Sequence, residues 1–287
     1  MSQHPVRGID HVFALVNSLD ESEAAYRKLG FTISPRGFHS AHMGTANHTI
    51  MFESDYFELL GVVASTPSNA PREQQLARDG EGLRAIACRI DDAAAAEAAL
   101  GEIGIATNGL ADFSRPVTLP GGGEGTAAFT TLQFHPSVTP IGIMFMCQQR
   151  TRETVWVPEL MVHENAAVGL GGVIAPADDP DKMAPRFAQL YASGEANAVA
   201  GGMAVTTGTA SAPILVLTPA AIAARYEGLD LSALPKNGFA GVQVASADMD
   251  KTRAALAASG APTADTADGI AVAPSAGSGV IIEFVPR

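Results

Sequence analysis

The sequence predicts an α+β protein built from four βαβββ modules. Three observations lead there. A unit of strand, capping residues, helix and closing glycine recurs along the chain, two or three strand candidates follow each helix, and 287 residues are enough to bury full cores. A doubly wound parallel sheet would alternate single strands with single helices. A generic α+β sandwich is the plainer alternative; the recurrence of the whole unit weighs against it.

The first module covers residues 1–65. Gly8 to Val16 (GIDHVFALV) alternates like a half-buried strand, with Ile9, His11, Phe13 and Leu15 on one face. Asn17-Ser18-Leu19-Asp20 caps a helix over about Ser22 to Leu29, and Gly30 stands at its C-terminal cap. Phe31 to Ser34 is short and extended. His48 to Glu53 and Tyr56 to Val62 read as strands joined by a tight Ser54-Asp55 turn.

The second module covers residues 80–150. It has a strand over Gly82 to Ile90, a cap at Asp91-Asp92, a helix over Ala93 to Ile103 and a stop at Gly104. Strands follow near Arg115–Leu119, Ala127–Phe134 and Ile141–Gln148. The third module, residues 169–218, runs from Gly169–Ala175 through Ala177-Asp178-Asp179-Pro180 to a helix over Lys182–Ala192. Its later strands lie near Ala198–Thr206 and Pro213–Leu217. The fourth, residues 236–287, has Gly238–Ala245, the cap Asp248-Met249-Asp250, a helix over Lys251–Ser259, and strands near Ile270–Ala273 and Val280–Val285. Two domains are thus expected, 1–150 and 169–287, joined by a linker over 151–168.

Eighteen Lys and Arg against thirty Asp and Glu give a net charge of −12, a field that repels nucleic acid. No apolar run reaches the ~20 residues of a membrane span. No secretory h-region is visible, so the expected compartment is the cytoplasm, with Cys88 and Cys147 reduced. The alanine-rich composition accords with a GC-rich bacterial genome. CxxC, HExxH, GxxxxGK[ST] and GxSxG patterns are missing. Gly121-Gly122-Gly123 reads as a tight loop without the strand-then-helix setting of a phosphate site.

Two residues carry chemistry on residue grounds alone. His11 shares its strand with apolar neighbours, and Glu58 lies between Tyr56 and Leu60 in an apolar strand. A buried imidazole and a buried carboxylate are costly unless paired or metal-bound. One of each suits Zn²⁺, Fe²⁺, Mn²⁺ or Ni²⁺. A hydrogen-bonded His–Glu pair without metal is the alternative.

Several segments carry a family resemblance. Asp10-His11-Val12, Leu29-Gly30-Phe31, Gly44-Thr45-Ala46-Asn47 and Tyr56 to Val62 are similar to the first module of the glyoxalase-like branch of the vicinal oxygen chelate superfamily, the glyoxalase and extradiol dioxygenase group. So are Phe113-Ser114-Arg115-Pro116, Phe145 to Gln149, Val155 to Glu159 and His163-Glu164-Asn165-Ala166. The likeness is strongest over residues 8–175. It implies modules paired into two cupped mixed sheets with helices outside, and a divalent metal in a cup. The implied metal ligands are His11, Glu58 and Gln149, the last at a position where similar sequences often have histidine. The matching first-strand positions of the other modules, Ala85, Gly172 and Gly241, offer no ligand. His163 ranks beside Gln149 for the third ligand, with Glu283 behind; Glu58 and His163 are the catalytic candidates.

His39, Asn47, Arg115 and Trp156 are the substrate-binding candidates. His39 and Asn47 offer donors to a carbonyl or carboxylate, within a loop cluster that includes His42 and His48; exposed loop histidines are the bland alternative. His48 is expected to face solvent. Arg115 anchors an anion or caps a strand end, and Trp156 closes a pocket or packs between domains. Cys147 reads as a small buried hydrophobe and His135 as a turn residue.

The expected function is a metal-dependent glyoxalase-like isomerase or lyase. It would chelate vicinal oxygens of a small carbonyl or phenolic compound and stabilise an enolate. A metal-free, drug-sequestering binder of the same fold is one alternative. An extradiol-type dioxygenase, needing His163 as second imidazole, is the other. The expected partner is a small molecule, with no nucleic acid or membrane, and the chain is a monomer or homodimer.

Overall fold

The computed structural model describes residues 3–119 and 122–287; Gly121 of the glycine-rich turn lies outside them. The strands form two eight-stranded mixed sheets. The first holds β1 (Ile9–Val16), β2 (Gly37–Phe38), β3 (Thr45–Met51), β4 (Tyr56–Val62), β5 (Gly82–Arg89), β6 (Thr107–Thr118), β7 (Glu124–Phe134) and β8 (Ile143–Gln149). Their order is β2-β3-β4-β1-β5-β8-β7-β6. At the centre β1 and β5 run antiparallel, and each lies parallel to the last strand of its own module, β4 or β8. The second sheet repeats this order with β9 (Ala167–Pro176), β10 (Ala196–Val199), β11 (Gly202–Val205), β12 (Ile214–Leu217), β13 (Gly241–Ser246), β14 (Thr263–Asp265), β15 (Ile270–Val272) and β16 (Ile281–Pro286).

Among the described residues six α-helices connect the strands: α1 (Leu19–Lys28), α2 (Ala70–Asp79), α3 (Ala93–Glu102), α4 (Pro180–Ala188), α5 (Pro219–Arg225) and α6 (Met249–Ser259). The module helices α1, α3, α4 and α6 start on side-chain caps. Ser18, Asp92, Asp179 and Asp248 accept from N–H groups in the first turn, satisfying donors that the helix cannot. One face of each sheet packs with these helices into a shared core. Val12, Met146, Val173 and Val244 from the strands meet Tyr26, Leu100, Phe187 and Leu256 from the helices. Across the middle, the Tyr26 hydroxyl donates to the Gly277 carbonyl at 2.9 Å, and Phe31 stacks on Phe284.

The other faces are covered by two helices without the repeating signature. Leu76 of α2 packs beside Phe13, Leu15, Leu60 and Ala85 of the first sheet. In the second, Ile222 of α5 and Leu229, Leu231 and Leu234 after it cover Ile174, Leu217, Ala240 and Ile281. Both helices begin with proline in the first turn and fill connections between modules.

Several boundaries differ from the sequence expectation. The second strand of module one is Gly37–Phe38, not Phe31–Ser34. β6 starts at Thr107, well before Arg115, because its long hairpin with β7 pairs residues outside the apolar run. The strand expected over Ala198–Thr206 is a hairpin, turning at Ala200-Gly201 with Gly201 at φ +79°. His48 is buried, with Nδ1 bound to the Ser34 carbonyl, because the segment after α1 folds over β3. No helix among the described residues is long and apolar enough to cross a membrane.

Asp55, in the turn before β4, sits where the two sheets meet and accepts the Leu170 N–H at 2.9 Å. Burial pushes its carboxyl from the ordinary 3.8 up to about 7, against the pull of the Leu170 N–H and Arg89. A raised acid favours the fold below its unfolded pKa, and that contribution is lost as pH rises through about 7. The rise corresponds to about 4 kcal/mol as a ceiling. Asp55→Asn keeps an acceptor for Leu170 without the buried charge. Its stability relative to wild type is expected to increase between pH 4 and pH 8 in paired denaturant melts. Parallel pH profiles for the two proteins would contradict this reading of Asp55.

Candidate functional site

A cavity of about 520 Å³ opens beside α2 on the face of the first sheet turned away from the shared core. Its walls follow from strand alternation. His11 and Phe13 of β1, Tyr56, Glu58 and Leu60 of β4, and Phe145 and Cys147 of β8 all point into it. Thr45, Asn47 and Thr49 line it from β3, while Ala111, Phe113 and Arg115 of β6 and Phe129 and Thr131 of β7 close the far side. The edge strands β2 and β6 come together, so the sheet nearly closes around the cavity. Gly37 makes this possible: a Cβ there would sit 2.5 Å from Nη1 of Arg115.

A bulge in β1 builds the centre of the site. Pairing with β5 shifts register between Ile9 and His11. Ile9 therefore joins Val12, Ala14 and Val16 in the core and does not share the His11 face, correcting the strict alternation expected. The same bulge brings Asp10 beside its neighbour. The Asp10 Oδ1 lies 2.7 Å from His11 Nδ1 and accepts the Gln149 Nε2 amide at 2.8 Å. Nδ1 is thus taken up by Asp10, and Nε2 is the ring nitrogen left to face the cavity. That atom is 3.8 Å from Glu58 Oε2. The imidazole lies flat on Tyr56, ring centroids 4.2 Å apart, which fixes its plane. Glu58 Oε1 accepts from Asn47 Nδ2 at 2.7 Å, so this carboxyl is oriented too.

His39 bonds Thr45 Oγ1 through Nδ1 at 2.7 Å. Burial lowers its pKa, partly offset by Glu58, with Arg115 and Arg72 lowering it further. Its imidazole is thus biased toward the neutral form, one nitrogen bound to Thr45.

The structure brings together His11, Glu58, Asn47, His39 and Arg115. Asn47 donates one amide N–H to Glu58 Oε1 and lines the cavity beside it. Gln149, Trp156 and His163 do not line the cavity. Gln149 turns its amide to Asp10. Trp156 packs behind Tyr56, with the Arg152 guanidinium 3.5 Å over its ring, as a packing anchor. His163 spends both ring nitrogens on backbone: Nδ1 accepts from Thr32 at 3.0 Å, and Nε2 meets the Met51 carbonyl at 2.8 Å. Burial lowers its pKa, in keeping with a neutral ring that ties the linker to β3. Glu283 lies in the second sheet, fully buried among its own partners.

Two residues of the site went unread in the sequence. Asp10 carried no signal beyond its place beside His11, because its role depends on the bulge. Arg72 sits on α2, a helix the sequence pattern did not reveal, and reaches the cavity from there.

A divalent metal, implied by the resemblance, can be tested against these donors. His11 Nε2 and Glu58 Oε2 face each other without a hydrogen bond and offer two ligands. Among the described residues, no group of three or more His, Cys, Asp and Glu side chains is arranged to hold a metal ion. Catalytic sites of this type use three protein ligands. The donor set therefore falls one short and does not fit a firmly held metal.

The sequence profile of the glyoxalase-like domain family matches residues 9–191. Among curated proteins no significant match is found. A hypothetical protein from Staphylococcus aureus has a similar structure, with TM-score 0.67 and 12% identity, over 97% of this chain and 99% of that one. The chain also resembles part of a xylose isomerase-like TIM barrel/4-hydroxyphenylpyruvate dioxygenase fusion protein. There the TM-score is 0.60 at 13% identity, over 100% of this chain and 50% of the fusion. These likenesses concern the fold. With the profile match spanning most of the chain and both sheets built from paired βαβββ modules, the protein belongs to the glyoxalase-like domain family of the vicinal oxygen chelate superfamily.

Proposed function

We propose that this protein is an isomerase- or lyase-type enzyme that moves a proton on a small carbonyl compound held in the first-sheet cavity. The observation that carries the reading is the Asp10–His11–Glu58 arrangement, with two proton-transfer groups facing one point. Asp10 holds Nδ1–H of His11, leaving Nε2 to take a proton from carbon beside the carbonyl. Glu58, held by Asn47, stands on the same side of the cavity to return a proton or receive one. The second nitrogen of His39 is placed to bind the carbonyl oxygen as negative charge develops. Phe13, Phe113, Phe129 and Phe145 keep water from the reacting carbon.

This reading routes no proton through a metal, since the donors number two. For an extradiol dioxygenase, the second imidazole expected at His163 is tied to backbone on both nitrogens. The test is deuterium exchange, followed by proton NMR, at carbon beside the carbonyl in a panel of small carbonyl compounds. Enzyme treated with chelator is compared with enzyme given Mn²⁺, Zn²⁺, Fe²⁺ or Ni²⁺. Exchange in both samples is expected. Exchange only in the metal-loaded sample would restore metal dependence. Saturable binding without exchange would favour a small-molecule binder.

A further inference from the structure

Arg72 of α2 and Arg115 of β6 reach the same cavity from opposite elements. Both interact electrostatically with Glu58 and with His39, so the four groups converge. Neither guanidinium makes a hydrogen bond or ion pair with a described residue, and Nε of Arg72 is buried without a partner. Burial pulls both guanidinium pKa values down, with Glu58 opposing it. The chain pairs its comparable arginines elsewhere: Arg84 with the Asn237 and Gly80 carbonyls, Arg89 with those of Ile9 and Ser54, and Arg225 with Glu283. Glu58 cannot neutralise both cations, since one of its oxygens already serves Asn47.

Two half-buried cations without acceptors among the described residues, in a cavity of a chain with net charge −12, call for an anion from outside. Gly37 is part of the arrangement: only a residue without a Cβ leaves the guanidinium of Arg115 its place against β2. Guanidinium groups fit planar oxyanions through paired N–H donors. The remaining wall is aromatic, from Phe13, Phe113, Phe129 and Phe145.

We infer that Arg72 and Arg115 form a clamp for an organic oxyanion, so that the substrate is a small acid, carboxylate or phosphate monoester, with an apolar body. This rests on reading the same cavity as the reaction site. The clamp holds the acid group at one end, and the apolar body lies along the phenylalanines toward His11 and Glu58.

The test is titration calorimetry with 3-phenylpropanoate, its methyl ester and phenyl phosphate. The proteins are wild type, Arg72→Met, Arg115→Met and the corresponding lysine variants. At least one of the two anions is expected to bind wild type about ten-fold or more tighter than the neutral ester, as charge-assisted hydrogen bonds require. Each methionine variant should lose roughly ten-fold in anion affinity and leave the ester unchanged, while lysine recovers part of the loss. Added salt should weaken the anion and not the ester. A preference between the two anions assigns carboxylate or phosphate. Equal affinity for acid and ester, methionine variants that hold the anion as tightly as wild type, or no binding of any probe would each overturn the clamp. The binding readout needs no turnover. Anion binding that survives in a protein without exchange activity keeps the clamp and removes the proton-transfer reading. Exchange activity without anion preference does the reverse.

Discussion

His11→Asn is expected to lower the rate of proton exchange by about 10²–10⁴-fold with a much smaller effect on stability. Asparagine keeps a donor near the position of Nδ1, so Asp10 retains a partner besides Gln149. What it removes is Nε2, the atom 3.8 Å from Glu58 Oε2. If proton transfer runs through Nε2, the loss falls on kcat, while binding of the carbonyl compound is little changed. Asp10→Asn should act through His11, by letting the imidazole turn or take the other tautomer, and its loss should be smaller. Glu58→Gln keeps an acceptor for Asn47 and removes the second proton carrier. Measured exchange rates with melting curves for all three variants check this. Rates within about three-fold of wild type in His11→Asn would leave His11 as a buried histidine paired for packing, with no part in chemistry.

Arg225→Met is expected to destabilise the protein by about 3–5 kcal/mol, by stripping the main partner from a buried carboxylate. Glu283 has zero exposure on β16. Its oxygens accept from Arg225, from the Tyr226 hydroxyl at 2.9 Å, from Gln243 Nε2 at 3.0 Å and from Thr266 Oγ1 at 2.6 Å. Burial works against the Arg225 cation, yet Glu283 and then Asp268 hold its pKa above the ordinary value. Adding Glu283→Leu to Arg225→Met removes the stranded charge and should restore much of the loss, because paired deletion costs less than breaking a buried pair. Denaturant melts of the single and double variants decide it. A single variant as stable as wild type would mean that Tyr226, Gln243 and Thr266 suffice for the carboxylate.

The two faces of the molecule show why a motif read from sequence reaches only part of a site. Glu58 and Glu283 both sit in apolar strands, and period-two alternation points each away from the helical core. The first faces a cavity and the second is enclosed by α5 and its arginine. The difference comes from connections between modules. These helices carry no repeating signature and pack on the strands they cover.

The four module helices were legible because their N-terminal caps act within a few residues, and glycine closes three of them, α1, α3 and α6; α4 ends at Gln189 without one. The strand face of β4 was legible for the same local reason, so Glu58 stood out. His11, His39, Asn47 and Arg115 were singled out by residue type and by the family resemblance, and the structure gathers all five around one cavity. Local pattern could not place Asp10, whose side chain joins His11 only because β1 bulges against β5. Nor could it place Arg72, or show that the hydrogen bonds of His163 and the amide of Gln149 are already committed.

By itself, the sequence determined the modules, their capped helices and the face of β4 on which Glu58 lies, since these depend on short-range periodicity and capping. Only the tertiary structure decided which polar groups are free to meet a ligand. A buried donor or acceptor takes whatever partner the folded chain brings to it, and those partners come from distant strands, the linker and two unheralded helices.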